Sequence, residues 1–306
     1  MTRIPFTKAQ GAGNDFLILE NNPSLDLSSA EWRRRICDRH YGVGADGILL
    51  VTVPAGDPET DADLRIFNSD GGEVEISGNG TRCAAAYLVE TRGLGPRLLI
   101  RTGAGPKALQ LISQQDNRFE LEMEMGAPIL SAPMIPFRPD IVAAGSPLEL
   151  AEPVVGFSLP LSSGSRAVTV TSMGNPHCSL QVEDFDWDWQ AVGAEIERHP
   201  YFPKRTNVEF YRTLSRNEIE VRYWERGVGP TLSSGTGSCG AAVAAILNRK
   251  VESPVTVTTL AGQLAVQWDK KGVTLRGPAT IVCRGEYFCS HEGFQDTPSV
   301  ESETGS

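Results

Sequence analysis

The sequence predicts an α+β protein of two pseudo-symmetric domains, each a mostly antiparallel, strand-rich wrap around a central helix, with a small-molecule cleft between the domains. Three observations lead to this prediction. The 16-residue segment at 65–80 matches the segment at 222–237 without a gap. Predicted strands outnumber helices and do not alternate with them, which argues against a doubly wound sheet. The chain has 306 residues, which suits two domains of about 150 residues each.

Strands are predicted where apolar and polar residues alternate or β-branched residues are enriched. In the first half of the chain these segments are 6–10, 16–20, 48–53, 64–67, 98–101, 108–112 and 118–125. In the second half they are 167–172, 179–182, 206–211, 218–224, 255–258, 263–268 and 272–277. Each half therefore carries a comparable set of strands, as a duplicated fold requires.

Four segments are predicted to be helical: 29–38, 80–92, 189–198 and 237–249. The stretch 126–153 is rich in Pro and Ala, has little periodicity, and is the natural linker. We therefore predict a first domain at 1–129 and a second at 130–283.

The duplicated segments end in the same way. Arg65 lies 12 positions before Ser77, and Arg222 lies 12 positions before Ser234. Each serine opens a Ser-Gly-x-Gly turn at the start of an alanine-rich helix. The first turn of a helix has unpaired N–H groups and a partial positive charge, so it can hold a carboxylate. A single serine of this kind is more commonly only a helix cap, but the duplication favours a pair of anion-binding sites.

Composition and charge exclude several classes of function. The net charge is −10 and the pI is near 5.0, which argues against a nucleic-acid-binding groove. No apolar run is long enough for a membrane span, and no apolar signal core follows the first residues, so we expect a cytoplasmic protein. The six cysteines include no Cys-x-x-Cys pair, and we predict no metal site.

Two glycine patterns match the dinucleotide-binding fingerprint G-x-G-x-x-G, at 42–47 and 235–240. The first follows a helical pattern and precedes a strand, which is the wrong order for such a site, so we predict a turn there. The second opens a helix, but no acidic residue stands at a strand end about 20 positions later. Neither pattern therefore predicts a nucleotide cofactor.

Eight blocks of the sequence, in order, resemble diaminopimelate epimerase. They are GAGNDF (11–16), GVGADG (42–47), FNSDGGEVE (67–75), GNGTRC (78–83), GNPH (174–177), TNVEF (206–210), ERGVG (225–229) and SGTGSC (234–239). The resemblance implies two pseudo-symmetric α+β domains with the active site in the inter-domain cleft, and a homodimer. It further implies that residues 284–306 return to the first domain.

The resemblance also implies an activity. The family inverts one α-carbon of LL-diaminopimelate to give the meso form, a precursor of lysine and peptidoglycan, and uses no pyridoxal phosphate or metal. Two cysteines on opposite faces of the α-carbon exchange its proton, while two helix N-termini stabilise the carbanion. The expected partner is thus a small amino-acid substrate, with no nucleic acid and no membrane.

Both cysteine positions of the family are occupied by serine here, at Ser77 and Ser234. An alcohol ionises near water's pKa of about 15.7, whereas a free thiol has a pKa of about 8.5. At about 1.36 kcal/mol per pKa unit the difference is roughly 10 kcal/mol of intrinsic basicity. Neighbouring bases would have to activate the serines. His177 and Glu225 fall on the positions that the family places beside its two cysteines.

Three interpretations of the serines remain open. The chain is an epimerase whose catalytic residues are Ser77, Ser234, His177 and Glu225. It acts instead on another amino acid, as a related isomerase or dehydratase. Or it is a non-catalytic homologue that binds a diamino acid. For His177, a core histidine bonded to the backbone is the structural alternative.

The resemblance assigns substrate contacts to ten residues in the two helix starts and the cleft walls. They are Asn14, Asn68, Gly78, Asn79, Asn175, Asn207, Glu225, Arg226, Gly235 and Thr236. Arginine suits a carboxylate because its guanidinium forms a two-pronged hydrogen bond, and neutral amides provide donors and acceptors without charge. The structural alternatives are turn residues for Asn14 and Asn175 and a solvated pair for Glu225 and Arg226.

Overall fold

The computed structural model describes residues 2–22, 29–55, 59–139 and 150–289. Within these ranges the chain is a strand-rich α+β protein with few helices. The strands of the first half are β1 (Thr2–Gly11), β2 (Asn14–Glu20), β3 (Gly47–Thr52), β4 (Ala62–Asn68), β5 (Glu73–Val74), β6 (Arg97–Thr102), β7 (Gly105–Gln115) and β8 (Arg118–Gly126). Those of the second half are β9 (Phe157–Leu159), β10 (Arg166–Ser172), β11 (Pro176–Gln181), β12 (Asn207–Ser215), β13 (Glu218–Glu225), β14 (Gly229–Thr231), β15 (Val255–Thr259), β16 (Gly262–Asp269) and β17 (Gly272–Cys289). The α-helices are α1 (Ala30–Cys37), α2 (Gly78–Arg92), α3 (Trp189–Glu197) and α4 (Gly235–Leu247).

The strands of the two halves pair in the same order. In the first half, β1–β2 is antiparallel, β2–β3 is parallel, β3–β4 is antiparallel and β4–β6 is parallel. The second half follows the same alternation of antiparallel and parallel pairing, in the order β10–β11, β11–β12, β12–β13 and β13–β15. The hairpins β6–β7–β8 and β15–β16–β17 then close each series. The sequence repeat therefore has a counterpart in strand topology.

The long strand β17 connects the end of the chain to its beginning. Its first part pairs with β8, from Val273 opposite Gly126 to Thr280 opposite Arg118. Its second part pairs with β1 and ends with Cys289 opposite Thr2. The predicted strand at 272–277 thus continues 12 residues further than expected. Residues 284–289 run beside β1, and residues 290–306 of the predicted returning segment lie outside the described residues.

Helices α2 and α4 lie inside the strands and are built from small residues for that reason. The first eleven residues of each helix are buried, from Gly78 to Leu88 and from Gly235 to Ala245. Their alanines share one hydrophobic core cluster with the surrounding strands. A helix enclosed on every side has no polar face to offer, so Ala and Gly replace the usual amphipathic pattern.

All four predicted helices and all fourteen predicted strands are present. The two central helices begin two residues earlier than predicted, at Gly78 and Gly235, because each preceding serine is the N-cap. Three short strands, β5, β9 and β14, were not predicted. Within the predicted linker, residues 132–134 form a 3-10 turn and Ile129 bridges to Ser172. None of the helices in the described ranges is long and apolar enough to cross a membrane.

Candidate active site

The N-termini of α2 and α4 meet at one cavity of about 990 Å³. Gly78 and Gly235, the first residues of the two helices, are in contact. A Cβ atom on Gly235 would lie 3.0 Å from the Cα atom of Gly78. Because neither residue has a side chain, the two helix starts lie close together and direct their free N–H groups toward one region.

Twelve of the thirteen residues predicted for the site line this cavity. They are Asn14, Asn68, Ser77, Gly78, Asn79, Asn175, Asn207, Glu225, Arg226, Ser234, Gly235 and Thr236. The exception is His177, which is fully buried behind the cavity wall. The structure thus gathers residues that are more than 200 positions apart in sequence.

Ser77 is the N-cap of α2 and is half-buried at the cavity. Its Oγ atom accepts a 3.1 Å hydrogen bond from the backbone N–H of Gly80. Among the described residues, no carboxylate or imidazole lies within hydrogen-bond distance of this hydroxyl. The Ser77 oxygen is therefore held by the helix terminus alone.

Ser234 is the N-cap of α4 and has a base beside it. Its Oγ accepts a 3.2 Å hydrogen bond from the N–H of Gly237 and donates a 3.1 Å hydrogen bond to Oε2 of Glu225. The hydroxyl of Thr231 donates to the other oxygen of Glu225, Oε1, at 2.7 Å. Burial raises the pKa of Glu225, and the hydrogen bonds from Thr231 and Ser234 oppose that rise. Ser234 and Glu225 thus form a hydroxyl–carboxylate pair.

His177 is in β11 and contacts neither serine. Its Nδ1 lies 2.6 Å from Oε1 of Glu209, and its Nε2 lies 3.0 Å from Oδ1 of Asn175. The ring packs on α4, since a Cβ atom on Gly240 would lie 2.9 Å from the ring Cγ. Both ring nitrogens are occupied by side-chain oxygens, not by the backbone as in the structural alternative. In this arrangement His177 orients Asn175, and its part as a base stays a prediction.

The two halves present matching contacts between a Gly-Asn turn and a helix start. In the first half, Asn79 Nδ2 donates to Asn14 Oδ1 at 3.5 Å. In the second half, Asn175 Nδ2 donates to Thr236 Oγ1 at 3.4 Å. Asn79 and Thr236 are each the second residue of their helix. Turn and helix are thereby linked on both sides of the cavity.

A charged cluster outside the residues predicted for the site holds Asn14. The amide Nδ2 of Asn14 donates a 2.8 Å hydrogen bond to Oδ2 of Asp46, and Oδ1 of Asp46 accepts a 2.8 Å bond from Arg39. Arg39 also bonds Asp15 at 2.7 Å. Both Arg39 and Asp46 line the cavity. Asp46 lies in the glycine pattern that we predicted to be only a turn, and an acidic residue in that turn was the available signal.

The opposite wall carries Asn207 and Arg226. Asn207 uses its side chain structurally: Nδ2 donates to the carbonyl of Pro176 at 3.0 Å, and Oδ1 accepts from the backbone N–H of Arg226 at 2.9 Å. The guanidinium of Arg226 is exposed and donates to the carbonyl of Lys204 at 3.1 Å. No carboxylate in the described ranges pairs with this guanidinium, which is thus available to an anion at the cavity mouth.

The site combines features suited to a small zwitterion with two ends. Two helix N-termini supply N–H donors and positive partial charge for one carboxylate. An arginine at the mouth can take a second carboxylate, and amide side chains line the space between them. Two hydroxyl groups sit at the helix starts, where a proton on the adjoining carbon could be transferred.

Comparisons with known proteins agree with this chemistry. The sequence model of the family "Diaminopimelate epimerase" matches residues 6–131 and 169–282. The diaminopimelate epimerase of Pelotomaculum thermopropionicum is 41% identical over 296 residues, covering 92% of this chain and 98% of that one. The diaminopimelate epimerase of Desulfitobacterium hafniense is 39% identical over 288 residues, covering 92% of this chain and 97% of that one.

Among solved structures, a probable proline racemase from Agrobacterium radiobacter K84 with bound carbonate has a similar fold. The TM-score is 0.66 at 15% sequence identity, and the match covers 95% of this chain and 94% of that chain. At this identity the likeness concerns the fold alone.

Proposed function

The chain belongs to the diaminopimelate epimerase family, and we propose on that premise that it is a cofactor-independent isomerase that converts LL-diaminopimelate to meso-diaminopimelate. The product is a precursor of lysine and peptidoglycan. The relatives named diaminopimelate epimerase match this chain over nearly their whole length. The observation that carries the proposal is the convergence of Ser77, Ser234 and their two helix N-termini on one cavity.

The helix starts hold the reacting end of the substrate. The free N–H groups at Gly78–Asn79 and Gly235–Thr236 bind the α-carboxylate between the two serines. Removal of the α-proton leaves a carbanion whose charge spreads onto that carboxylate. Fixed donors and dipoles aimed at the developing charge lower the barrier without reorganising during the reaction.

Ser234 and Glu225 remove the proton. The α-proton passes to Oγ of Ser234 while the hydroxyl proton of Ser234 passes along the 3.1 Å hydrogen bond to Glu225. Burial raises the pKa of Glu225, which makes its carboxylate a stronger base than an exposed one. By accepting the hydroxyl proton, Glu225 offsets part of the extra free energy needed to deprotonate a serine instead of a cysteine.

Ser77 returns a proton to the opposite face. Its hydroxyl proton passes to the α-carbon, and the alkoxide that remains is stabilised by the Gly80 N–H and the N-terminus of α2. Solvent then protonates the Ser77 oxygen and takes up the proton held by Glu225, which returns both groups to their starting states. His177 acts in this scheme through Asn175, which it orients with a 3.0 Å hydrogen bond.

The far end of the substrate lies toward Asn68, Asn207 and Arg226. The exposed guanidinium of Arg226 binds the distal carboxylate in a fork. The resemblance also assigns Glu225 a contact with the substrate. Both of its oxygens accept hydrogen bonds from hydroxyls, so we assign Glu225 to proton transfer.

Three further expectations complete the proposal. They are two pseudo-symmetric domains at 1–129 and 130–283, a homodimer and a cytoplasmic location. The repeated order of strand pairing supports the division into domains. The resemblance to the family supports the homodimer, which size-exclusion chromatography with light scattering would test.

One observation favours a second candidate, a homologue that binds a diamino acid without turnover. Ser77, unlike Ser234, has no base at hydrogen-bond distance in the described ranges. A related isomerase or dehydratase with another substrate is the third possibility, because Ser replaces Cys at both positions.

Chiral chromatography of the products tests these candidates. Purified protein incubated with LL-diaminopimelate should accumulate the meso form, and Ser77→Ala and Ser234→Ala should each stop it while ligand still raises the melting temperature. Thermal stabilisation without product would instead support the binding protein. A protein that forms no product and is not stabilised by the ligand would contradict both the epimerase and the binding protein.

A further inference from the structure

The fold buries the charge of Arg82, and the part of the chain that the structure describes provides no counter-ion for it. The residue is 0% exposed, and its guanidinium packs against β17 where Gly277 leaves room, since a Cβ atom there would lie 3.2 Å from Cζ. Its Nη2 atom donates a 2.6 Å hydrogen bond to Oδ1 of Asn79, and Nε reaches the carbonyl of Pro278 at 3.5 Å. Nη1 is buried without a hydrogen-bond partner in the described ranges.

No carboxylate in the described part of the chain forms an ion pair with Arg82. A buried guanidinium whose two hydrogen-bond partners are neutral and whose third nitrogen is unsatisfied lowers the stability of the fold. Such groups in a native structure call for an explanation other than stability. The position of this one, at the start of a helix that faces the cavity, supplies the explanation.

The charge of Arg82 acts on the N-terminal parts of both α2 and α4. Arg82 is the fifth residue of α2, and its counterpart in the repeat, the fifth residue of α4, is Cys239. Burial raises the pKa of Cys239 to about 12, and the charge of Arg82 opposes that rise. One cation therefore adds its field to the positive ends of both helices, and the repeat is asymmetric in this respect.

Arg82 also fixes the amide of Asn79. Because Oδ1 of Asn79 accepts from Arg82, Nδ2 is turned toward Asn14, whose Oδ1 it meets at 3.5 Å. Nδ2 of Asn14 in turn donates to Asp46 at 2.8 Å. The result is a directed chain of hydrogen bonds that begins at a buried cation, runs along the cavity wall and ends at a carboxylate.

We propose that Arg82 is a positioning residue of this site: it orients Asn79 toward the ligand and adds a fixed positive charge to the pair of helix N-termini that bind the α-carboxylate. The identity of the ligand rests on the proposed function. The anion bound between the helices is the missing counter-charge of Arg82, so binding and stability are in opposition at this residue.

Arg82→Met and Arg82→Lys test the proposal. Methionine removes the charge at similar length, and lysine keeps it. We expect Arg82→Met to raise the melting temperature of the ligand-free protein, because an unpaired buried charge is gone. We expect the same variant to bind LL-diaminopimelate at least tenfold more weakly by calorimetry, and Arg82→Lys to recover most of that loss. A purely structural role would lower stability and binding together, and that result would overturn the proposal.

Asn79→Ala separates the two contributions and serves if Arg82→Met does not fold. If Arg82 acts largely through Asn79, the variant that combines Arg82→Met with Asn79→Ala should bind LL-diaminopimelate no more weakly than the weaker-binding of the two single variants. If Asn79→Ala binds as the wild type does, the orienting role is excluded. Wild-type protein that binds no diaminopimelate would overturn the proposed function and this inference with it. A wild type that binds, beside an Arg82→Met variant that binds equally, would overturn this inference alone.

Discussion

Thr231 donates a 2.7 Å hydrogen bond to the same carboxyl group of Glu225 that accepts the hydroxyl of Ser234. The Thr231 bond favours the ionised carboxylate and so lowers the pKa of Glu225, while burial, the larger effect, raises it. Thr231 thus modulates the strength of Glu225 as the base in the proposed reaction.

Thr231→Val should move the acid limb of the pH profile. Glu225 must be ionised to accept the proton of Ser234, so activity falls as pH decreases through its pKa. Loss of the Thr231 bond raises that pKa further, and the acid limb of kcat/KM should move to higher pH. Thr231→Ser keeps the hydroxyl and should keep the wild-type profile. An unchanged acid limb in the valine variant would exclude Glu225 as the base.

Cysteine at both helix caps should increase activity. A free thiol is more acidic than an alcohol by about seven pKa units, and each cap position already offers an N–H donor from the helix. We expect the Ser77→Cys, Ser234→Cys double variant to turn over LL-diaminopimelate at least tenfold faster than the wild type. Each single variant is the control and should gain less. No gain in the double variant would mean that the cavity geometry does not support two-base transfer.

Gly235→Ala should separate the helix starts. The added Cβ would lie 3.0 Å from Gly78 Cα and 3.2 Å from Leu275 Cδ2. Overpacking of this kind costs about 1–3 kcal/mol, and the displaced N–H groups no longer converge on one carboxylate. We expect at least tenfold lower kcat/KM with a lower melting temperature. Leu275→Ala in the same protein relieves only the side-chain contact and leaves the contact with Gly78, so it should not restore activity. Because Leu275 is fully buried, this second change should lower the melting temperature further.

Asp15→Asn should destabilise the fold at neutral pH. Burial raises the pKa of Asp15, but hydrogen bonds from Arg39 and Lys8 outweigh burial and lower the pKa from 3.8 to about 2. Its partner Arg39 is largely exposed, so solvent screening reduces the contribution of this displacement to about 1 kcal/mol of stability. Because the folded-state pKa is lowered, this contribution is full above pH 3.8 and disappears as pH falls through about 2.

Urea unfolding of Asp15→Asn and wild type at pH 7 and near pH 2 measures that contribution. The difference between the two proteins should be about 1 kcal/mol at pH 7 and should shrink in acid. Glu59→Gln is the control. The side chain of Glu59 is 94% exposed and forms a long ion pair of 3.6 Å with Arg101, and exposed pairs of this kind contribute little to stability. An equal difference at both pH values would mean that the Asp15 charge is not the cause.

The sequence allowed the main elements to be predicted because strand alternation and the duplicated helix starts are local signals. The strand β14, by contrast, contains Pro230 and has only three residues, so it has no alternation to detect. The strand predicted at 272–277 stops just before Pro278, a residue type that is disfavoured inside strands. In the structure, β17 continues through Pro278, which lies opposite Glu120 in β8, and on to β1. That continuation depends on partners that are distant in sequence.

In the site, too, local motifs could be predicted from the sequence and contacts between distant residues could not. The helix caps and the Gly-Asn turns are sequence motifs, and the residues predicted from them line the cavity. The role of a buried side chain depends on which groups it points toward, and a sequence motif does not contain that information. His177 is turned toward Glu209 and Asn175 and away from both serines. Arg82 lies within one of the quoted motifs but was not assigned to the site. It is distinguished by its burial without a counter-ion among the described residues, which a motif does not reveal.

The deuterium content of product and recovered substrate tests the central claim most directly, that two serines act on opposite faces of one α-carbon. Purified protein is incubated with LL-diaminopimelate in deuterium oxide, and both isomers are analysed at early conversion. We predict meso-diaminopimelate with one deuterium at the inverted carbon, and recovered LL-diaminopimelate without deuterium. Deuterium in recovered LL-diaminopimelate without formation of the meso isomer would contradict the account, because it would mean that only one face of the carbon is served.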